Sequence, residues 1–279
     1  MNAAPDCRPA DAAVIDILAI GAEQVPLIRI DGATTDPQAL VAFAADAVAF
    51  APVTGNLYPG LRAPMPLAYV RSMVARLDPL IRRVHGLGPV RLVRAECFFS
   101  IVTTPAAELV PLQTVPHIDT SDPLHFATVH YLCPPHFGGT AFFRQLSTGF
   151  ETISPTREAA WDRARDAAMP APGNPAYPSP DTPGHARVAA IPAAFDRLIL
   201  YRSNALHAGG HRSGGRPRRR SPHRAPHRDD VHRLSPDGRF GFIRRAATGS
   251  DGPKVEENSA ARQKVKRARI VKRRSLIYH

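Results

Sequence analysis

Apolar and polar positions alternate along this chain in patterns that predict three helices and at least six strands. Helical spacing appears at residues 37–50, which begin with a proline suited to a first helical turn, and again at residues 67–84 and 158–168. Short runs rich in β-branched and aromatic residues predict strands at 25–30, 90–103, 126–133, 140–143, 188–191 and 197–201. Helices followed by several strands indicate a β-core with flanking helices.

Two proline-rich stretches interrupt these elements. Residues 54–66 contain three prolines and two glycines, and residues 169–184 are richer still in proline, so both are predicted to be irregular loops. The first loop also carries Tyr58 and Arg62. Such a loop either lines a binding site or forms plain surface, and the sequence leaves both interpretations open.

Charge divides the chain into two unlike parts. Residues 1–208 contain 16 arginines, no lysine and 18 acidic residues, whereas residues 209–279 hold the remaining 20 basic and 6 acidic residues of a chain with net charge +12. The first part is long enough for one domain with a sizeable core. We therefore predict an N-terminal segment over 1–19, one domain over 20–208, and a basic, largely disordered tail over 209–279, with no strand visible in its first part, residues 209–230.

Cysteine usage and hydropathy favour a soluble cytoplasmic protein without a membrane partner. Cys7, Cys97 and Cys133 lack the spacing of a zinc or disulfide framework and are expected to be buried apolar residues in a reducing compartment. No run of about 18 apolar residues occurs, and the apolar piece at 12–22 lacks a basic region before it.

A His-x-Asp pair is the first candidate for chemistry. Side chains of an extended strand alternate between two faces, so His117 and Asp119 are expected to point one way and Ile118 the other. An imidazole and a carboxylate suit a borderline divalent ion, and a distant histidine would complete the facial triad that leaves three positions of ferrous iron open. The candidate is His207, which follows an apolar strand. Among 12 histidines chance pairs occur, and we expect structural or surface roles for His85, His125, His130 and His136.

The motifs around these residues resemble those of a known superfamily. HID at 117–119, GGTAFF at 138–143 and LILYRSNALHAG at 198–209 look like the double-stranded β-helix of Fe(II)/2-oxoglutarate-dependent dioxygenases, in particular its prolyl-hydroxylase-like branch. More narrowly, the chain from about 20 to 209 resembles the bacterial family DUF6445 at NLYPGLRAP (56–64), PHIDTSDP (116–123), HYLCPPHFGGTAFFR (130–144) and TGFE (148–151).

This resemblance implies a jelly-roll, cupin-like double-stranded β-helix with an iron site. His117, Asp119 and His207 would hold Fe(II), 2-oxoglutarate would chelate the iron as co-substrate, and dioxygen would take the last position. The activity implied is hydroxylation of an unknown small molecule or peptide. The candidates for supporting the ligands or the co-substrate are Tyr131, Arg144, Tyr201 and Asn204, and support of the core or surface is the alternative for each of them.

The segment after His207 departs from the pattern of the superfamily. There, a basic residue about ten positions beyond the distal histidine, on the last core strand, grips the far carboxylate of 2-oxoglutarate, because a guanidinium fork pairs bidentately with a carboxylate. Arg216 and Arg218 lie at that distance, although Pro217 disfavours a central strand. Arg144 is a comparable candidate.

Two further hypotheses concern the tail. Lysine appears only in the last 26 residues, where the composition also changes, and a shift of reading frame that replaced the final strands would produce such a tail. Alternatively, the protein is a non-catalytic β-barrel whose tail binds nucleic acid or another polyanion without sequence specificity, since clustered basic residues neutralise phosphates.

Overall fold

Strands make up most of the regular structure in the part of the chain that the computed structural model describes, residues 9–53, 57–171, 173–210 and 270–278. Three α-helices accompany them in those ranges: α1 (Pro37–Asp46), α2 (Leu67–His85) and α3 (Glu158–Ala167). The strands, in chain order, are β1 (Val14–Ile20), β2 (Val25–Asp31), β3 (Ala51–Pro52), β4 (Gly60–Pro64), β5 (Leu92–Val102), β6 (His125–Tyr131), β7 (Gly139–Gln145), β8 (His185–Pro192), β9 (Arg197–Arg202), β10 (His207–Gly210) and β11 (Ile270–Tyr278).

The strands form two sheets in which every named pair is antiparallel. The large sheet has eight strands in the order β1-β2-β9-β6-β11-β5-β4-β3, and the small sheet has the order β10-β7-β8. The prediction of a mainly β protein with few helices is therefore confirmed.

Helices α1 and α2 cover one face of the large sheet. The side chain of Asp36 caps α1 by accepting a hydrogen bond from the Ala39 N–H at 2.9 Å, with Pro37 in the first turn, and α2 ends on Gly86 in the left-handed conformation. Their apolar faces pack on β2, β5, β6 and β9 in a core that includes Leu40, Met73, Leu77, Ile81, Phe99 and Leu200.

The other face of the large sheet packs against the small sheet. Leu27, Tyr131 and Ile199 from the large sheet meet Phe142 and Ile191 from the small sheet in a second core. A third cluster fills the space between the small sheet and α3, around Phe143, Trp161 and Leu206. Both faces of the small sheet are thus covered.

Five of the described strands, β1, β3, β4, β10 and β11, lie where none was predicted, and β1 and β4 show why. β1 falls within the segment 1–19 that was set apart from the domain, yet it pairs with β2 along its whole length. β4 lies in the predicted irregular loop and pairs with β5, with Arg62 opposite Ser100. In both cases a neighbouring strand supplies the backbone partners, and the prolines of the loop fall at the ends of short strands near the sheet edge, where they are tolerated.

β11 lies within the tail that was predicted to be largely disordered, far beyond the stretch 209–230 in which no strand was visible in the sequence. This strand pairs with both β5 and β6 and so lies in the interior of the large sheet. Its sequence, IVKRRSLIY, has three consecutive basic residues and little alternation, so the two partner strands rather than its own pattern select it. Residues 211–269, with Arg216 and Arg218, lie outside the described residues, and disorder, a shifted frame and polyanion binding there remain predictions.

Two simpler expectations can be compared with the structure. Cys97 and Cys133 are buried, as predicted, and neither is in a disulfide bond, whereas Cys7 lies outside the described residues. None of the helices in the described ranges is long and apolar enough to cross a membrane.

Candidate metal centre

His117 and His207 are directly paired through their backbones. The N–H of each residue donates to the carbonyl oxygen of the other at 2.9 Å, in an isolated antiparallel bridge. His207 opens β10 and is also held by β7, opposite Phe142. The predicted strand around His117 is thus reduced to one bridge. The extended backbone still separates the side chains, since Ile118 packs against the cluster around Trp161.

Asp119 completes the cluster. Its N–H donates to the Ser203 carbonyl at 3.0 Å, which fixes the loop that carries it. One carboxylate oxygen lies 4.0 Å from His117 Nε2, the other lies 4.0 Å from His207 Nε2, and the three ligand atoms are all within 4.8 Å of one another. The side chains of His207, Asp119 and His117 are 3%, 18% and 39% exposed, so the cluster is open on the side of His117.

The tautomer of His207 is set by its surroundings. Nδ1 lies 2.8 Å from the Ala205 carbonyl oxygen, which can only accept, so Nδ1 carries the proton and Nε2 has the lone pair. The Tyr201 ring packs edge-on against the imidazole at a centroid distance of 5.0 Å. His207 is therefore oriented as a ligand before any ion binds.

The donor set fits a divalent transition metal. Metal–nitrogen and metal–oxygen bonds of about 2.1 Å put two ligand atoms at right angles about 3 Å apart, so binding requires the three groups to close by about 1 Å. The more exposed His117 and the loop residue Asp119 can rotate inward, whereas His207 is held by packing. Two nitrogens and one carboxylate oxygen on one side leave the other side of the ion open.

The cluster forms part of the wall of a cavity of about 420 Å³ that also borders both sheets. Both proline-rich loops contribute to it, which answers the question that the sequence left open. Tyr58 and Arg62 line it from the first loop, and Tyr177 lines it from the second and donates to the Thr104 carbonyl at 2.7 Å. The wall is mainly apolar, as is common for small-molecule sites.

The other residues singled out in the sequence have varied positions. Tyr201 lines the cavity. Tyr131 is buried, with its hydroxyl 2.6 Å from Thr140 Oγ1, and it is Thr140 that reaches the cavity. Asn204 is buried, and its backbone carbonyl oxygen accepts a hydrogen bond from the Ile153 N–H at 2.9 Å. This bond supports the backbone before His207.

Arg144 does not border the cavity. Its Nε donates to the buried carboxylate of Glu151 at 2.8 Å, and the same carboxylate accepts from the N–H groups of Ala22 and Glu23. This contact ties Arg144 to the buried Glu151, and its role toward the co-substrate stays a prediction. Arg216 and Arg218 lie outside the described residues.

The remaining histidines divide between core and cavity. His130 is fully buried, with Nδ1 2.8 Å from the Tyr69 hydroxyl and Nε2 2.8 Å from Asp196 Oδ1, so its predicted structural role is confirmed. His125, which was expected to have a structural or surface role, lines the cavity. Sequence reasoning likewise missed the cavity face of β5, which its period of two would have shown as Glu96, Phe98, Ser100 and Val102.

Six chains of solved structures are similar to this one, and two of them illustrate the likeness. One is the non-heme α-ketoglutarate-dependent epimerase SnoN from nogalamycin biosynthesis, with 12% identity over 90% of this chain and 78% of that one, and a TM-score of 0.39. The other is HygX from Streptomyces hygroscopicus with nickel and 2-oxoglutarate bound, with 10% identity over 91% and 83%, and a TM-score of 0.37. Neither likeness is close enough to carry an inference.

A search of the curated proteins finds no match. The model of a family described as "Family of unknown function (DUF6445)" matches residues 11–224, well over half of the 279 residues, and this range contains the whole candidate metal centre. The chain therefore belongs to the DUF6445 family.

Proposed function

We propose that this protein is an Fe(II)- and 2-oxoglutarate-dependent oxygenase that hydroxylates an organic substrate. The observation that carries the proposal is the convergence of His117, Asp119 and His207 on the wall of one cavity, although the last is 90 positions from the first. This donor set is the one that leaves ferrous iron three adjacent open positions.

The proposal includes the finer description of the fold as a double-stranded β-helix. Strands β5, β11, β6 and β9 would form one half and strands β10, β7 and β8 the other. The support is the face-to-face packing of the two sheets, with the metal cluster at the bridge between His117 and β10.

The protein's own residues would each have a definite task. His207 is oriented by the Ala205 carbonyl and Tyr201, and Asp119 is positioned through its backbone on Ser203. His117, whose side chain is the most exposed of the three, would close the site when the metal binds. Bound iron would bring 2-oxoglutarate and dioxygen together for oxidation of a C–H bond. The apolar wall would limit the access of water.

For the far carboxylate of 2-oxoglutarate, we propose Arg273 in place of Arg216 or Arg218. The register of β11 pairs position 273 with Phe98 on one side and Val129 on the other, and both of these residues line the cavity. The backbone register thus places position 273 between two residues that line the cavity. The resemblance to the superfamily implies a basic residue on the last core strand, and β11 is the last strand of the large sheet.

The test is anaerobic titration with Fe(II) and 2-oxoglutarate, monitored by the visible metal-to-ligand charge-transfer band. The wild-type chain should give a band that needs both additives, and His117→Ala and His207→Ala should abolish it. His136→Ala is the matched control because His136 is exposed and outside the cavity, and it should leave the band unchanged. A wild-type chain that binds no iron, or a band that survives both ligand substitutions, would refute the proposal.

The same titration separates the candidate arginines. Arg273→Gln should keep Fe(II) binding. It should weaken binding of 2-oxoglutarate by about 10- to 100-fold, because charged hydrogen bonds are lost. Arg216→Gln and Arg218→Gln should have no effect. Unchanged 2-oxoglutarate affinity in Arg273→Gln would exclude position 273.

A further inference from the structure

A second polar group lies on the cavity wall formed by β4 and β5. Arg62 and Ser100 are direct partners in the register of these strands, and both line the cavity. Opposite residues of an antiparallel pair have neighbouring side chains on one face of the sheet. Neither residue has a role in holding the metal or in the proposed recognition of 2-oxoglutarate.

Aromatic rings hold the guanidinium of Arg62. Its Cζ lies 4.3 Å from the centroid of the Tyr58 ring and 5.6 Å from that of the Phe98 ring. Such rings attract the cation and limit the movement of its long side chain. Because the N–H groups of a guanidinium lie in its plane, an arginine packed on aromatic rings in this way is suited to a bidentate contact with a carboxylate.

Ser100 supplies an independent observation at the same place. The residue is 0% exposed, and its Oγ has no hydrogen-bond partner among the described residues. A buried hydroxyl without a hydrogen-bond partner costs free energy. This cost is removed when a ligand in the cavity accepts a hydrogen bond from the hydroxyl. The hydroxyl and the guanidinium are thus two donors side by side on one wall.

We propose that Arg62 and Ser100 form a subsite for a carboxylate group of the substrate, which is therefore an organic acid with an apolar body. The apolar body is inferred from the cavity residues around this subsite, which include Leu57, Val102 and Leu112. Glu96, the acidic residue of the lining besides Asp119, is in an ion pair with Arg94. The inference rests on the proposed function, because it names the substrate class of that same site.

The subsite is distinct from the proposed position for 2-oxoglutarate. β5 lies between β4 and β11, so the backbones at positions 62 and 273 are two inter-strand spacings apart across the sheet, about 10 Å, and are also offset along the strands, because position 62 pairs with Ser100 and position 273 with Phe98. The cavity would therefore bind two acids at once, with the co-substrate carboxylate at β11 and the substrate carboxylate at β4 and β5.

The experiment compares 3-phenylpropionate with its uncharged amide by calorimetric titration of the metal-free protein. The wild-type chain should bind the acid at least tenfold more tightly than the amide. Arg62→Gln should weaken binding of the acid by about 10- to 100-fold, and Ser100→Ala should weaken it by a smaller factor. Neither substitution should change the affinity for the amide. Arg187→Gln removes one positive charge from an exposed position outside the cavity and should change nothing.

Equal affinity for acid and amide, or no binding of the acid by the wild-type chain, would overturn the inference. An Arg62→Gln variant that weakens 2-oxoglutarate in the iron titration as much as it weakens 3-phenylpropionate would also overturn it, because the pair would then serve the co-substrate. Since the acid titration uses metal-free protein, its result is independent of iron. Selective acid binding without any iron and 2-oxoglutarate band would refute the proposed function and leave the acid subsite.

Discussion

His85 is an ionisable side chain that the fold keeps neutral. Its ring packs edge-on against Phe126 at a centroid distance of 4.8 Å, and Arg202 lies beside it, with Nε 3.4 Å from His85 Nδ1. Burial, with a smaller contribution from the positive charge of Arg202, lowers the pKa of His85 from 6.5 to about 4. The unfolded chain therefore binds a proton on this residue at a higher pH than the folded chain does.

This difference predicts a pH dependence of stability. The contribution of neutral His85 is fully present above pH 6.5 and is lost as the pH falls from 6.5 towards 4. His85→Asn cannot be protonated, so its thermal midpoint should fall less than that of the wild type between pH 7 and pH 5. The exposed His136→Asn is the control and should follow the wild type. Identical pH profiles for His85→Asn and the wild type would contradict the prediction.

The hairpin of β1 and β2 is tied to the rest of the protein at its turn. The carboxylate of Glu151 accepts from the N–H groups of Ala22 and Glu23 at 3.1 and 2.9 Å, and Glu23 in turn accepts from the N–H of Thr152 at 3.1 Å. Gly21 makes this approach possible. It has φ +65°, and a Cβ at this position would lie 2.1 Å from a Glu151 carboxylate oxygen.

Gly21 and Gly32 form a matched pair for testing this contact. Gly32 has nearly the same φ, +66°, but a Cβ there would meet nothing within 4 Å. Gly32→Ala should therefore cost only the backbone strain, about 1–2 kcal/mol. Gly21→Ala should cost that strain plus about 1.5–3 kcal/mol from displaced charged hydrogen bonds. Urea unfolding measures both, and equal losses of unfolding free energy would show that the Glu151 contact contributes nothing.

The chain as a whole depends on its last described segment. β11 fills the place between β5 and β6, so its removal would leave two long rows of backbone N–H and C=O groups without partners. Truncation after Gly210 should therefore give a protein that unfolds at lower urea concentration and aggregates, as measured by light scattering after size-exclusion chromatography.

An internal deletion of residues 221–250 is the matched control. It removes much of the basic segment but keeps β11, and loop-closure entropy changes little when a long connection is shortened. This variant should be as stable as the full chain. If the truncated chain were instead monomeric and equally stable, β11 would not be needed for the fold.

Local patterns were sufficient for most of the elements. α2 was predicted within one residue of its observed end because it has both an apolar stripe and clear boundaries, Pro66 before it and Gly86 after it. The strands that were missed, β1, β3, β4, β10 and β11, have nothing in their own sequences that requires a strand. Each of these segments becomes a strand through backbone hydrogen bonds to a neighbouring strand. For β11 that neighbour is distant in the chain, since Ser275 pairs with Glu96.

The sequence by itself determined the helices, most strands and the three residues of the candidate metal centre, since a His-x-Asp pair and a histidine after a strand are local features. Only the tertiary structure decided what these features face. The bridge between His117 and His207, the pairing of Arg62 with Ser100 and the place of position 273 all arise from strand register. Register depends on which strands pair and on the packing of both sheet faces. The sequence of a single segment determines neither the pairing nor the packing.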